Sequence, residues 1–172
     1  LAPGMKTAMM ACLVVMVSMP FTNLVYWLNM QMPLPEWAKT LEEGATEMIN
    51  ALLTMDTPFE FLINLVIIAL VPALGEELLF RGVFQKVLSN VLKKEHLAIW
   101  ITAFIFSAMH MQFEGFIPRF LLGGLLGYLF SWSKNLWVPI IAHFFFNGIQ
   151  NLVPHHYGFQ NSIIVKHIMV LI

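Results

Sequence analysis

The sequence predicts an all-α membrane protein: a polytopic bundle of transmembrane helices carrying an amphipathic helix on its surface. Three observations predict it. The 172 residues are 59% hydrophobic and only 11% charged, against about 25% charged in an ordinary soluble domain, which leaves too little polar surface to cover a core. Apolar runs near the ~20 residues a bilayer requires recur along the chain. Lys and Arg fall at alternate ends of those runs, as the positive-inside rule demands. The net charge of −1 carries no basic stripe of the kind that binds nucleic acid. The single cysteine, Cys12, stands among aliphatic residues, has no partner for an internal disulfide, and reads as a small hydrophobe.

Taken in order, Met5 to Met30 is long enough to span, with Pro20 as a kink and Tyr26 and Trp27 as interfacial anchors. Pro33 to Asp56 differs: it carries Glu36, Glu42, Glu43, Glu47 and Asp56, and Trp37, Leu41, Met48 and Leu52 suit one face of a surface helix. A second span starts at Pro58, a good first-turn residue, and runs to a bend at Gly82, with Val83 to Leu92 along the surface. Leu97–Met111, Pro118–Trp132 and Leu136–Val153 follow as further spans, and a sixth begins near Ser162. Gly123 and Gly127 form a small-xxx-small pair that lets helices approach closely. Alternating spans place Lys6, Lys86, Lys93, Lys94 and Lys134 inside and Lys39 and Arg119 outside. The chain opens without Met and stops in an apolar run, so residues 1–172 read as one transmembrane domain cut from a longer protein.

Few polar residues fall within these spans: Glu76, Glu77, Arg81, His110, His143 and Asn147. Each is expensive in a bilayer, which makes it a functional candidate by default. Depths counted at ~1.5 Å per residue let them meet in the cytoplasmic half of the membrane. Glu77 and Arg81 are four apart in the favourable acid-first order, so Glu77 is expected to be held ionised and structural. Glu76 points about 100° away and is left as a general base. His143 and Asn147 also share a face; Asn147 can donate to a developing oxyanion, and His143 can do the same or bind metal.

At these residues the chain resembles the CAAX protease and bacteriocin-processing family of intramembrane endopeptidases. Glu76-Glu77-Leu-Leu-Phe-Arg81 matches its EExxxR signature, Phe106 to His110 its FxxxH motif, and His143 to Asn147 its HxxxN motif; Phe120 to Gly123 fits a weaker FxxG element. Each motif is short, but together and in order they cover about residues 58–153, the expected catalytic core. The resemblance implies a helical membrane peptidase acting on membrane-associated proteins or peptides, of CAAX type or linked to bacteriocin maturation and immunity. It also implies that Glu76 and His110 activate water while His143 and Asn147 stabilise the oxyanion. A bacterial cytoplasmic membrane is the expected location.

The family is often labelled metalloprotease, and a divalent ion such as Zn2+ remains an open cofactor. Glu76, His110 and His143 are the candidate ligands. A metal-free glutamate mechanism is preferred because it uses every residue once, whereas a metal would take either the free base Glu76 or the paired Glu77. No HExxH is present, no Gly-x-Ser elbow, and Asp56 is the only aspartate. Ser107 is expected to bond to the backbone of its own helix. His96, His155, His156 and His167 carry no motif. Two rival readings remain: a non-catalytic membrane regulator or chaperone that keeps the family site, and an ion-coupled transporter. The scarcity of ionisable groups in the outer halves of the spans weighs against the transporter.

Overall fold

Helices account for nearly all of the regular structure because the sequence offers long apolar runs with few internal breakers. The computed structural model describes residues 2–53 and 57–157. Among them six helices follow in order: α1 Met5–Asn29, α2 Glu36–Leu53, α3 Pro58–Leu92, α4 Glu95–Ala108, α5 Phe116–Ser133 and α6 Trp137–Tyr157. The expected sixth span near Ser162, together with Asp56, His167 and the side chains of His155 and His156, lies outside the described residues.

Two helices, α1 and α3, are long and apolar enough to cross a membrane. The core helix of a soluble protein would be mostly buried. Here only 17% of the most apolar stretch of α1 and 28% of that of α3 is buried. Met9, Leu13, Val17, Val66, Val71 and Leu78 are instead exposed. Such a surface is stable against lipid and not against water.

The start of α3 follows from local chemistry. The Thr57 hydroxyl accepts from Glu60 N, the Glu60 carboxylate accepts from Thr57 N, and Pro58 fills the first turn. Further along, Pro72 has no N–H to give to Ile68 O and would crowd that turn. The helix widens just before it into a π turn over Leu65–Leu70, where Val71 N reaches Val66 O five residues back. A second π turn covers Phe80–Gln85. Gly82 lies inside that turn, so α3 runs on to Leu92 without the expected break. The extra residue per turn absorbs the position where the sequence suggests an end. A depth counted from Gly82 therefore does not apply: Glu76 is near the middle of α3, about 27 Å from Pro58 and about 24 Å from Leu92 along the axis.

The core lies between α1, α5 and α6, where Ala11 and Val15 meet Leu122, Leu126, Leu129, Val138, Ala142 and Phe146. α4 packs closely on α5 through the glycines. A Cβ on Gly124 would stand 2.6 Å from the Trp100 ring, and one on Gly127 2.8 Å from Ile99. α3 is joined to α5 by two parallel bonds, Arg81 Nη2 to Gly123 O at 2.7 Å and Gln85 Nε2 to Gly127 O at 3.1 Å. The middle of α3 lies against α6. Those contacts bring α3, α4 and α6 around one point.

Candidate active site

Three of the residues singled out from sequence meet at that point. Glu76 Oε1 lies 3.8 Å from His110 Nε2, and its Oε2 lies 3.8 Å from His143 Nε2. The Glu76 side chain keeps 28% of its exposure while that of His143 keeps 4%. The carboxylate is therefore reachable, and the imidazole beneath it is not.

The two rings are held by their other nitrogens. His143 Nδ1 is 2.9 Å from Glu77 Oε1, which also accepts from Arg81 Nη1 at 2.7 Å. A carboxylate paired with a guanidinium only accepts, so His143 Nδ1 carries the proton. His110 Nδ1 stands 2.8 Å from Phe106 O, one turn back, and a carbonyl likewise only accepts. Both rings thus turn their Nε2 atoms toward Glu76. Separations of 3.8 Å exceed a direct hydrogen bond and suit a shared third atom.

Phe106 forms the wall behind them. Its ring meets His110, His143 and Phe80 edge-on at 5.0, 6.1 and 5.1 Å, and the Arg81 guanidinium lies 5.1 Å over it. Glu77 and Arg81 have no exposure at all, and the Arg81 side chain fixes both Glu77 and the Gly123 carbonyl. Asn147 is buried one turn beyond His143 and donates to Ile68 O at 3.4 Å. That is the carbonyl Pro72 cannot serve, so Asn147 is engaged with α3 and touches neither Glu76 nor His110.

Several placements differ from the sequence reading. His110 lies past the end of α4, which stops at Ala108. Its neighbour Met111 has φ 54°, a left-handed residue that turns the chain out of the helix. Ser107 donates to Phe116 O at 2.6 Å, across to α5, rather than to its own helix. The helix that carries His155 and His156 continues to Tyr157, past Val153, where the span was expected to end. Arg119, assigned to an outer surface, is buried and donates to Gln112 Oε1 at 2.5 Å. Glu42 is buried as well. Polar groups therefore continue from the site to the end of the bundle where α2 lies, a continuity that no short motif announces.

Glu76, His110 and His143 were also the candidate metal ligands. Among the described residues no three His, Cys, Asp or Glu side chains are grouped so as to hold a metal ion. The two imidazoles meet different oxygens of Glu76. No step is therefore routed through a metal.

A family model described as type II CAAX prenyl endopeptidase, Rce1-like, matches residues 58–149. The chain belongs to this family. The match begins with α3 and takes in every residue of the cluster, from Glu76 to Asn147. Among curated proteins, the uncharacterized protein YpbD of Bacillus subtilis (strain 168) is 32% identical over 90 residues, covering 50% of this chain and 43% of that relative. The chain thus spans less than half the length of that relative. No solved structure matches. Membership of the Rce1-like family makes this a protease-family domain, and its two long apolar helices associate it with the membrane.

Proposed function

We propose that the protein is a multi-pass intramembrane endopeptidase that hydrolyses peptide bonds in membrane-associated proteins or peptides, with Glu76 as general base. The observation that carries this reading is the convergence of His110 and His143 on the two oxygens of a reachable Glu76, at 3.8 Å each. In this reading the end bearing Lys86, Lys93, Lys94 and Lys134 faces the cytoplasm.

A substrate water donates one proton toward Glu76 and the other toward His110 Nε2. As its oxygen bonds to the scissile carbonyl carbon, Glu76 takes the first proton, and the carbonyl π electrons move to oxygen. That oxyanion is met by His143, in its doubly protonated form, and by the Asn147 N–H that does not serve Ile68. The Glu77 carboxylate beneath His143 matches the imidazolium charge. When the C–N bond breaks, the oxyanion electrons restore the carbonyl and the leaving nitrogen takes the proton from Glu76. The second water proton passes from the new carboxyl group through His110 to that nitrogen, Glu76 is again a carboxylate, and the products are a carboxylate and an ammonium group.

In proteoliposomes holding a cleavable membrane-anchored peptide, Glu76→Gln is expected to lower kcat by about 10²–10⁴-fold with an unchanged melting temperature. Asn147→Ala should lower kcat by about 10²–10³-fold. Equal cleavage by wild type and Glu76→Gln would sink the mechanism. Failure of the wild type to cleave any protein of its native membrane would assign the chain to the non-catalytic regulators. Activity should survive chelation, with no metal found by elemental analysis; activity lost to chelation and restored by Zn2+ would overturn the metal-free step.

A further inference from the structure

His110 has no helix after it to hold it. Its N–H reaches Ser107 O at 3.3 Å, Met111 turns out of the helix, and residues 112–115 form the link to α5. The position of His110 thus depends on what holds that link. Five contacts come from α1 and α2. Glu42 Oε1 accepts from both Phe113 N and Glu114 N. Asn29, at the end of α1, donates to Phe113 O and Glu114 O at 2.6 Å each. The Trp37 ring meets that of Phe113 edge-on at 5.2 Å.

Glu42 is the unusual member. It lies on an amphipathic helix whose other acidic residues, Glu36, Glu43 and Glu47, read as a solvated face. Yet it is only 5% exposed, one turn after the fully buried Ala38. A carboxylate buried away from any motif and spent on two backbone amides is costly to retain unless those amides must be held.

We propose that Glu42 is a positioning residue for His110, and that α2 is thereby part of the active site. Glu42 clamps the backbone at 113 and 114, the clamp sets the turn at Met111, and the turn sets His110 Nε2 against Glu76. Its activity arm rests on the peptidase reading; its structural arm does not.

The test uses the full chain in lipid nanodiscs, with Glu42→Ala and Glu42→Gln. The carboxamide oxygen of Gln accepts from the same two amides, so Glu42→Gln is expected to keep kcat within about threefold. Glu42→Ala is expected to lower kcat by roughly 10–100-fold with KM within twofold, because a displacement of about 1 Å is enough for such a loss. In parallel, ¹⁵N spectra should show the His110 ring resonances displaced in Glu42→Ala and restored in Glu42→Gln, and amide exchange at Phe113 and Glu114 should rise at least tenfold. If the wild type cleaves nothing, the peptidase reading fails, and the ring and exchange measurements still decide the clamp. Wild-type kcat with unmoved His110 resonances in Glu42→Ala would overturn the proposal. So would a loss of activity that merely follows the unfolded fraction while His110 in the folded protein is unchanged.

Discussion

Arg81 is a guanidinium with no exposure, and its surroundings leave it two tasks: Glu77 on its own helix and Gly123 O on α5. Removing it strands a buried carboxylate, which typically costs about 3–5 kcal/mol. Arg81→Met should lower the unfolding free energy by about that amount in a denaturant titration in mild detergent. Arg81→Lys should recover less than half, since one ammonium cannot reproduce the planar fork that serves both acceptors. The Glu77–Arg81 pairing was legible because both residues stand on one helix at a fixed spacing. The third partner, His143 Nδ1, was not, because it comes from 66 residues away and only packing decides which nitrogen faces Glu77. Ser107 fails for a related reason: its acceptor, Phe116 O, belongs to α5, and only the packing of α4 on α5 brings it within reach.

Among the elements, α4 and α5 depend on glycine where α3 does not. A Cβ at Gly127 would meet Ile99 at 2.8 Å and Gln85 Oε1 at 3.0 Å, whereas one at Gly75 meets nothing within 4 Å. Gly127→Ala is expected to destabilise by about 1–3 kcal/mol. Gly75→Ala should be neutral or stabilising by up to about 1 kcal/mol, since it relieves a glycine inside a helix. Equal melting temperatures for the two variants would contradict the close packing of α4 on α5. The same pair of helices is also pinned at its exposed end. Glu95 receives Lys134 at 2.8 Å and Ser131 at 2.5 Å, and these partners hold its carboxyl below the usual glutamate range. A lowered folded-state pKa gives stability that is present above the unfolded-state value and is lost as pH falls through the folded one. Melting temperature should therefore fall slightly on acidification below about pH 4.3, less so in Glu95→Gln, and the difference should shrink in high salt. Composition and spacing located these helices well. They missed the two π turns of α3: the sequence carries the span past Pro72 as an ordinary helix, and Gly82 reads as a bend when only single residues are weighed. The widened turns accommodate Pro72 and let the helix run on through Gly82.

For the molecule as a whole, the outward faces of α1 and α3 set its medium. Val17 is 69% exposed and apolar. Val17→Lys is expected to disfavour membrane insertion of α1 by about 2.5–3.5 kcal/mol, as read by a glycosylation-reporter insertion assay. A soluble protein would tolerate that change with no loss of fold. Membrane character and the cluster of polar residues were thus both readable from the sequence, whereas the link from α2 to His110 was not, because Glu42 looks like its exposed neighbours until the loop folds over it. The two bonds from α3 to α5 bear on the whole arrangement in another way. Arg81 meets Gly123 and Gln85 meets Gly127, each pair separated by 42 positions. If α3 slid one turn along α5, Arg81 would find the Gly127 carbonyl, Gln85 would have to seek that of Ser131, and Glu76 would travel about 5.4 Å away from His110. Neighbouring helices in a bilayer have little hydrophobic drive to prefer one offset over another. Two polar side chains reaching two backbone carbonyls therefore act as a vernier: they fix the sliding coordinate along which the distances from Glu76 to its two histidines would otherwise drift.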